Sequence, residues 1–330
     1  MINILVLGAG TMGRTHIRAY QRMSNVKVVG IVDVNKPTVE GVAKELYFNR
    51  FEDALESLGE IHVVDICLPT YLHKEFAIKA ATSKAHIICE KPLASTLEDA
   101  REIISICEEN KVKLFVGHVV RFFSEYSQAK KLVDQNLFGD IKYVRTFRNS
   151  SFPLAWNDWY SNYQYSGGLL LDLLIHDIDF LCWCFGEVES VNANNIRKME
   201  YKDVKHISVD LNFKNGVNAQ VAGSWSENKF RTNFEIQGEA GYLVFDSTKE
   251  QPLNLQVKRE TSMKLIANQG EIKNTESPYF TQLNHYVDCI INNHTPIMTP
   301  QEAYQSMKIA FAAIKSFEIG DSVYLEEKYY

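Results

Sequence analysis

This chain of 330 residues has few cysteines and no excess of positive charge. It has only six cysteines, whereas a disulfide-stapled secreted domain would be far richer, so we expect reduced thiols and a cytoplasmic location. Lys and Arg number 35 against 41 for Asp and Glu, which gives a formal net charge of −6, and the basic residues form no run. A surface of this sign repels a phosphate backbone, so we expect no nucleic-acid partner.

Long apolar runs are also missing. The stretch nearest to membrane-spanning length, residues 167–186, contains three aspartates. Each of them would cost roughly 2.5–3.5 kcal/mol at the centre of a bilayer, so we expect no membrane span. The apolar segment 2–7 is short and has no basic lead-in, so we expect no secretion signal. Length and composition predict two globular domains.

The first 120 residues alternate β-branched apolar runs with helical patterns. The runs are typical of buried parallel strands and comprise Ile2–Leu7, Val26–Val32, Ile61–Leu68, Ile87–Cys89 and Lys113–Val116. The intervening patterns predict helices over Thr11–Arg22, Pro37–Leu46, Tyr71–Thr82 and Thr96–Glu109. A capping box of Ser95 and Glu98 opens the last of these helices. Residues 1–120 are therefore predicted to form an α/β domain with a doubly wound parallel sheet.

Residues 121–330 follow a different pattern. A helix is predicted over Arg121–Leu137, and two hairpins follow, pairing His206–Phe213 with Val217–Trp225 and Thr232–Gln237 with Tyr242–Phe245. Helices near Tyr279–Ile291 and Pro300–Phe317 end the pattern. We therefore predict a second, α+β domain over residues 121–330.

A glycine-rich turn joins the first strand to the first helix: Gly8, Gly10 and Gly13, with Thr11 and Met12 between them. The glycines permit a tight turn, close approach of a pyrophosphate and close packing of helix on strand. Asp33 follows at the end of the second strand, where a carboxylate binds a ribose and repels a 2′-phosphate. This pattern predicts NAD in preference to NADP, although Lys36 would offset part of the repulsion. The alternative is that the glycines only shape the turn.

Glu90, Lys91 and Pro92 follow the predicted strand Ile87–Cys89, at the edge of an open α/β sheet where ligands bind. Pro92 biases Lys91 toward an extended backbone and so helps to aim its side chain. Lys91 is thus a candidate functional residue, and a surface lysine beside a turn is the alternative.

The segment Gly167–Trp183 is apolar on nearly every side, which predicts a buried helix. Asp172 and His176 stand four residues apart on one face, and Asp179 extends the same stripe. Asp172 could orient His176 for proton exchange with a substrate hydroxyl. A purely structural Asp–His pair and a metal site formed with Asp179 are the alternatives, and no second histidine lies nearby.

These motifs together, in this order, resemble the Gfo/Idh/MocA oxidoreductases. The resemblance covers nearly the whole chain and also includes Pro69, Thr70 and His73 and the segment Gly117–Phe122. It implies a Rossmann domain that binds a nicotinamide dinucleotide and a second domain with an open, largely antiparallel sheet that takes part in homo-oligomer contacts. The chain departs from the family pattern at Ser166 and Leu174, which stand at positions that are often glycine.

The resemblance also implies residue roles. Lys91 matches the lysine near nicotinamide, His176 the proton acceptor and Asp172 its neighbour, while Pro69, Thr70, His73 and Glu90 belong to cofactor-lining loops. We therefore expect an NAD-dependent oxidoreductase, without a metal, acting on a secondary alcohol of a sugar or polyol. An NAD-dependent glycosidase and a non-catalytic NAD(H) sensor remain alternatives. Specificity is expected to depend on the loop Phe152–Tyr165, where Trp156 and Trp159 either line a pocket or pack together.

Overall fold

A computed structural model describes residues 1–193, 200–259, 262–265 and 276–325 of the chain. It divides into a first unit, Met1–Phe122 with Thr275–Tyr304, and a second unit, Phe123–Asn274 with Gln305–Tyr330. The division after Phe122 lies close to the boundary expected from the change of pattern near residue 120. The segment Thr275–Tyr304, in contrast, was assigned by sequence to the second domain and groups with the first unit.

The first unit is built on a six-stranded parallel sheet with the strand order β3-β2-β1-β4-β5-β6. Its strands are β1 (Ile2–Leu7), β2 (Val26–Val32), β3 (Tyr47–Phe48), β4 (Val63–Ile66), β5 (His86–Cys89) and β6 (Leu114–Val116). Its first helices are α1 (Thr11–Tyr20), α2 (Phe51–Ser57), α3 (His73–Thr82) and α4 (Leu97–Asn110). The strand order reverses between β1 and β4, so the predicted doubly wound sheet is confirmed and its ligand-binding edge is at the carboxyl ends of the strands.

Two local predictions in this unit are wrong. Residues 37–46 do not form an α-helix, because Lys36 and Gly41 take positive φ angles of 42° and 75° and only Lys44–Leu46 forms a 3₁₀ turn. The cap of α4 is Thr96, whose side chain accepts a hydrogen bond from the Asp99 amide at 3.1 Å. Thr96 therefore has the capping role that the sequence pattern assigned to Ser95.

The second unit contains a nine-stranded sheet with the order β14-β13-β12-β11-β7-β10-β9-β8-β15. Its strands are β7 (Ile141–Ser151), β8 (Val188–Ala193), β9 (His206–Phe213), β10 (Asn218–Ser224), β11 (Ser226–Gly238), β12 (Gly241–Asp246), β13 (Leu253–Arg259), β14 (Ser262–Leu265) and β15 (Val323–Tyr324). Only β7 and β10 pair in parallel, and every other neighbouring pair is antiparallel. Both predicted hairpins, β9–β10 and β11–β12, are confirmed.

The helices of the second unit are α5 (Ser124–Asp134), α6 (Tyr163–Ser166) and α7 (Ile175–Phe185). The predicted buried helix over residues 167–183 is partly wrong, because Leu170–Leu174 forms a π-helical turn before α7 begins. A π-helix bonds residue i to residue i+5 and widens the turn, and such segments are frequent at functional sites.

The last helices are α8 (Pro278–Ile291) and α9 (Pro300–Ile319). Leu283, Tyr286 and Val287 of α8 are fully buried in the core of the first unit. The Tyr286 ring stacks on Phe115 of β6 with centroids 4.8 Å apart, and its hydroxyl donates to the Val116 carbonyl at 2.7 Å. Helix α8 therefore completes the core of a sheet that is formed much earlier in the chain.

None of the six cysteines, all of which lie in described parts of the chain, forms a disulfide. No helix in the described ranges combines the length and the apolar character that a bilayer crossing requires.

Candidate functional site

The glycine-rich turn lies at the carboxyl end of β1. Gly8 has a φ of +86°, and a Cβ there would lie 2.6 Å from the Cys67 carbonyl oxygen. A Cβ on Gly13 would lie 1.9 Å from the Gly8 carbonyl oxygen, so the first and third glycines are needed for close packing. Gly10, in contrast, has open space where a Cβ would stand.

Helix α1 begins at this turn with Thr11 exposed and Met12 half-buried. Its N-cap is Gly10, which offers no side chain to the first-turn amides. These amides and the positive end of the helix dipole suit an anion, and the open side of Gly10 gives it access. The turn therefore fits the pyrophosphate of a dinucleotide.

Asp33 lies at the end of β2 and is tied to the glycine-rich turn. Its Oδ2 accepts a hydrogen bond from the Ala9 amide at 2.7 Å, and its Oδ1 accepts one from the Asn35 amide at the same distance. The carboxylate is half-buried, and the exposed Lys36 follows it. Asp33 is thus placed beside the turn, where a ribose of a bound dinucleotide would lie.

The loop after β4 contains Pro69, Thr70 and His73. Thr70 is buried and begins a 3₁₀ turn, and Pro69 is half-buried. The His73 ring is 1% exposed and bridges two carbonyl oxygens, with Nδ1 2.9 Å from Pro92 and Nε2 2.9 Å from Leu68. Burial lowers the pKa of His73, while the two carbonyl oxygens act in the opposite direction. His73 therefore links the loops that follow β4 and β5.

Glu90 and Lys91 follow β5 at the same edge of the sheet. Lys91 is half-buried, and its backbone amide donates to Glu90 Oε2 at 3.2 Å. The Glu90 carboxylate is buried against Gly117, where a Cβ would come within 3.0 Å of it. Burial opposes ionisation of Glu90, but His16 and Lys91 outweigh burial and lower its pKa. Glu90 is therefore an ionised carboxylate beneath the Lys91 loop.

The sequence analysis missed a buried polar cluster behind this carboxylate. His16 of α1 is fully buried, with Nδ1 2.9 Å from Asp65 Oδ2 and Nε2 3.2 Å from Glu90 Oε1. The Tyr20 hydroxyl donates to Asp65 at 2.9 Å, and Cys67 Sγ lies 3.3 Å from His16 Nδ1. A histidine on the apolar face of α1 and an aspartate inside the apolar strand β4 were the signals that could have revealed it.

The second unit places Asp172 in the π-helical turn and His176 in the first turn of α7. Asp172 is 7% exposed and His176 is half-buried. Leu174, between them, lies so close to Gly223 of β10 that a Cβ on that glycine would be 2.4 Å from its Cδ2. The bare backbone at Gly223 thus accommodates the leucine that stands where the family pattern often has glycine.

Helix α7 is anchored to the sheet by a buried ion pair next to His176. Asp177 is fully buried, and its Oδ2 lies 2.5 Å from Nε of Arg148 on β7. Arg148 also donates to the Tyr126 hydroxyl at 3.2 Å. Burial would lower the pKa of Arg148, but Asp177 outweighs it and the pKa is raised, so the guanidinium stays charged. Asp179 accepts a longer bond, 3.4 Å, from a serine hydroxyl of α9.

The alternative of a metal site formed by Asp172, His176 and Asp179 is not supported by the geometry. Within the described ranges, the one group of three His, Cys, Asp or Glu residues with ligand atoms within 4.8 Å of one another is His16, Asp65 and Cys67. Those atoms already contact one another at hydrogen-bond distances, which is the geometry of a polar cluster. Asp172, His176 and Asp179 form no such group.

The loop predicted to set specificity lines a cavity of about 400 Å³ in the second unit. Trp159 stacks on Tyr160 with centroids 3.9 Å apart, whereas Trp156 is half exposed. The cavity is lined by Phe152, Tyr160, Ser161, Tyr163, Ser166, Gly168, Lys202, Asp203, Val204, Lys205 and Trp225. Trp225 is 5% exposed, and its indole N–H has no hydrogen-bond acceptor among the described residues.

Comparison with known proteins identifies the family. Residues 2–118 match the oxidoreductase family with an NAD-binding Rossmann fold, and residues 126–244 match the GFO/IDH/MocA C-terminal domain. The chain belongs to the Gfo/Idh/MocA family of oxidoreductases. Its first unit is an NAD-binding Rossmann domain, as the glycine-rich turn and Asp33 predicted, and the protein is an NAD-dependent oxidoreductase.

Individual relatives span the whole chain. The chain is 29% identical to scyllo-inositol 2-dehydrogenase (NAD(+)) of Bacillus subtilis, covering 99% of this chain and 97% of that protein. It is 26% identical to myo-inositol 2-dehydrogenase of Thermotoga maritima, covering 99% of both. A solved structure of levoglucosan dehydrogenase with NADH and L-sorbose matches with a TM-score of 0.84 at 22% identity, covering 98% of this chain and 99% of that one. At that identity the last comparison supports the fold only.

Proposed function

We propose that this oxidoreductase reversibly oxidises a secondary alcohol of a sugar, cyclic polyol or related compound, with Lys91, His176 and Asp172 as its acid–base set. The inositol dehydrogenases among its relatives support this class of substrate. When bound, NAD supplies the acceptor for the hydride that leaves the carbinol carbon. The residues of the chain bind the alcohol, move its proton and stabilise its developing charge.

The observation that carries the proposal is the position of Lys91 at the carboxyl edge of the NAD-binding sheet. The residue follows β5 directly and is half-buried, and its backbone amide is bonded to the ionised Glu90. An ammonium group in this setting can donate to a substrate hydroxyl and stabilise the alkoxide that develops on oxidation. A lysine on an open surface would lack this support.

His176 is proposed to take the hydroxyl proton. The next residue in its helix, Asp177, forms a buried ion pair with Arg148 of β7. This pair fixes the helix, so the imidazole stands on a rigid element. Asp172, in the preceding turn, is proposed to hold the ring tautomer and to stabilise the imidazolium. Both residues keep the roles that the family resemblance implies.

The residues proposed to hold the cofactor line the carboxyl ends of β1, β2, β4 and β5. The first-turn amides of α1 suit the pyrophosphate, and Asp33 suits a ribose hydroxyl. The remaining candidates belong to the glycine-rich turn at the start of α1 or to the loops that follow β4 and β5: Gly8, Gly10, Thr11, Met12, Gly13, Pro69, Thr70, His73, Glu90 and Lys91.

The cavity in the second unit is proposed to contribute to substrate choice. Its aromatic rings offer faces for the C–H side of a sugar, and the buried indole N–H of Trp225 offers a donor to a hydroxyl. Leaving that donor without an acceptor costs free energy, so a substrate oxygen there would be favoured. These features fit a polyhydroxylated ring better than an apolar alcohol.

The test is a screen of sugars and cyclic polyols with NAD and with NADP, following the absorbance of the reduced nicotinamide. We expect net reduction of NAD that is stoichiometric with oxidised product. Release of a sugar without net reduction would favour the glycosidase, and binding of NADH without any turnover would favour the sensor. Preference for NADP would contradict the role given to Asp33.

The residue roles are then tested on the substrate found. Lys91→Met and His176→Gln should each lower kcat by about 100-fold or more, the scale of acid–base assistance. Matched controls are Lys27→Met and His206→Gln, which change exposed residues of β2 and β9 and should retain the wild-type rate. Wild-type turnover in His176→Gln would refute its assignment.

We further propose that the protein is cytoplasmic and forms homo-oligomers through the exposed face of the nine-stranded sheet. That face carries the partly exposed Tyr143 on the central strand β7 and the ion pair of Arg145 and Glu235. Light scattering coupled to gel filtration tests the assembly. A monomer at micromolar concentration, or an oligomer unchanged by Tyr143→Glu, would contradict it.

A further inference from the structure

The cluster around His16 connects two functional parts of the NAD-binding unit. His16 lies in the first turn after Gly13, in the helix whose amino terminus faces the dinucleotide site. Its Nε2 lies 3.2 Å from the carboxylate of Glu90, and that carboxylate accepts the Lys91 amide at 3.2 Å. An ion pair and a hydrogen bond therefore link this helix to the Lys91 loop through Glu90, and the Nε2–Oε1 approach has ion-pair distance without hydrogen-bond geometry.

The two carboxylates beside the ring favour an imidazolium at His16. Both ring nitrogens face carboxylates, Asp65 on one side and Glu90 on the other, and a carboxylate can only accept. Burial alone would lower the pKa of His16, but Cys67 and Asp65 outweigh burial and raise the pKa well above the ordinary value. Burial raises the pKa of Cys67 to about 12, so at neutral pH the charges beside the ring are the carboxylates of Asp65 and Glu90, 2.9 and 3.2 Å from its nitrogens.

The remaining groups around the ring are consistent with this charge. Burial raises the pKa of Tyr20 well above its ordinary value, so its hydroxyl stays protonated and donates to Asp65. Asp65 thus has three donors, Tyr20 and His16 on Oδ2 and the Cys67 thiol on Oδ1 at 3.6 Å. Glu90 has the imidazolium on one oxygen and the Lys91 amide on the other, with the Lys91 ammonium adding to its stabilisation.

We propose that His16 is a positioning residue for Lys91: its buried positive charge keeps Glu90 ionised and in place, and Glu90 in turn fixes the Lys91 backbone. The proposal rests on the proposed role of Lys91 in the reaction. Without the imidazolium, Glu90 would either take up a proton or draw the Lys91 ammonium toward itself. Either change would move the ammonium group from the position it needs beside the substrate hydroxyl.

The kinetic test compares His16→Gln, Glu90→Gln and the double variant. A misplacement of about 1 Å can cost about 100-fold in rate, so each single variant should lose kcat on that scale. In His16→Gln, which leaves the proposed cofactor-holding residues in place, the Kd for NADH should stay near its wild-type value. The double variant should be no slower than the slower single variant, because both substitutions break the same connection. Additive losses, or a wild-type kcat in His16→Gln, would overturn the proposal.

The pH dependence separates positioning from a merely structural role. In His16→Gln, Glu90 loses its main counter-charge, burial then raises its pKa, and its titration should enter the kcat–pH profile. That additional ionisation should be absent from the wild type and from the double variant. A His16→Gln profile with the same shape as the wild type would refute the argument. The control is His86→Gln, at the opposite end of β5, where the ring accepts a backbone amide and lies half-buried.

Two NMR measurements keep this test independent of turnover. Nitrogen shifts of ¹⁵N-labelled histidine should show His16 as an imidazolium at pH 8, and a neutral ring would overturn the proposal. With lysines carrying ¹³C-methyl groups, the Lys91 titration should shift in His16→Gln and not in His86→Gln. Two results are read together here: the activity of Lys91→Met and the Lys91 shift seen in His16→Gln. If Lys91→Met is active and the shift in His16→Gln is present, the proposed function fails and the positioning role stands. If His16→Gln does not fold, Glu90→Gln should show the same Lys91 shift, and an unmoved titration there would overturn the proposal.

Discussion

The buried pair of Arg148 and Asp177 makes a quantitative test of how α7 is attached to its sheet. The perturbation is Asp177→Asn, which replaces one carboxylate oxygen with an amide NH2 group and keeps the shape of the side chain. In the wild type the pair has a 2.5 Å contact, with the two side chains 5% and 0% exposed. The substitution therefore leaves the guanidinium buried beside a neutral amide where the carboxylate stood.

The expected cost follows from this burial. Removing one partner of a buried pair destabilises a protein by roughly 3–5 kcal/mol, because the remaining charge is uncompensated. The second acceptor of Arg148, the Tyr126 hydroxyl, is itself shared with Thr232 and cannot compensate for the charge. Since domains are stable by only about 5–15 kcal/mol, the loss should be a large part of the stability of the second unit.

The assay is urea unfolding followed by tryptophan fluorescence. All four tryptophans, at 156, 159, 183 and 225, belong to the second unit, so the signal reports that unit. The matched control is the pair of Lys142 and Glu239, 3.0 Å apart in the same unit with side chains 59% and 62% exposed. Lys142→Ala should cost no more than about 1 kcal/mol, because solvent screens the pair. An equal cost for Asp177→Asn and Lys142→Ala would refute the reasoning.

Three further predictions concern the first unit. Gly13→Ala places a Cβ 1.9 Å from the Gly8 carbonyl oxygen, so it should cost roughly 1–3 kcal/mol and weaken NADH binding in a fluorescence titration. Thr96→Ala removes the α4 cap and should lower the free energy of unfolding by about 1 kcal/mol, whereas Thr96→Ser should not. Because folding raises the pKa of His16, the stability it contributes is fully present below about pH 6.5 and declines as the pH rises toward its folded pKa. The difference in urea midpoint between wild type and His16→Gln, followed by far-UV circular dichroism, should therefore be larger at pH 6 than at pH 9, and an equal difference would contradict this.

The sequence predicted the elements whose signals are local. Strands β1, β2 and β5, the hairpins β9–β10 and β11–β12, and the turn at Gly8–Gly13 depend on patterns within a few residues, and all were found. The helix expected over residues 37–46 failed because its apolar spacing resembles a helix while two backbone positions are left-handed. Strand β3 has only two residues, too few for any periodicity.

The parts that escaped prediction depend on contacts between distant residues. No local pattern shows that α8 packs with the first unit or that His16 faces Glu90, which is 74 positions away in the sequence. The π-helical turn at Leu170–Leu174 likewise differs from an α-helix by hydrogen bonding and not by residue type. Each functional motif could be identified from its own short stretch of sequence. The buried charged cluster of His16, Asp65 and Glu90 joins distant stretches and became evident only in the structure.

The late position of α8 in the sequence bears on synthesis and on fragment design. Phe115, the middle residue of β6, stacks on Tyr286, which is synthesised only after the whole central part of the second unit. A fragment ending near Phe122 would leave that ring and its apolar neighbours facing water, so it would make a poor stand-alone dinucleotide binder. A fusion that joins residue 122 to α8 by a short linker would restore the packing of Tyr286 on Phe115. This fusion is the shortest form in which we expect the first unit to fold by itself.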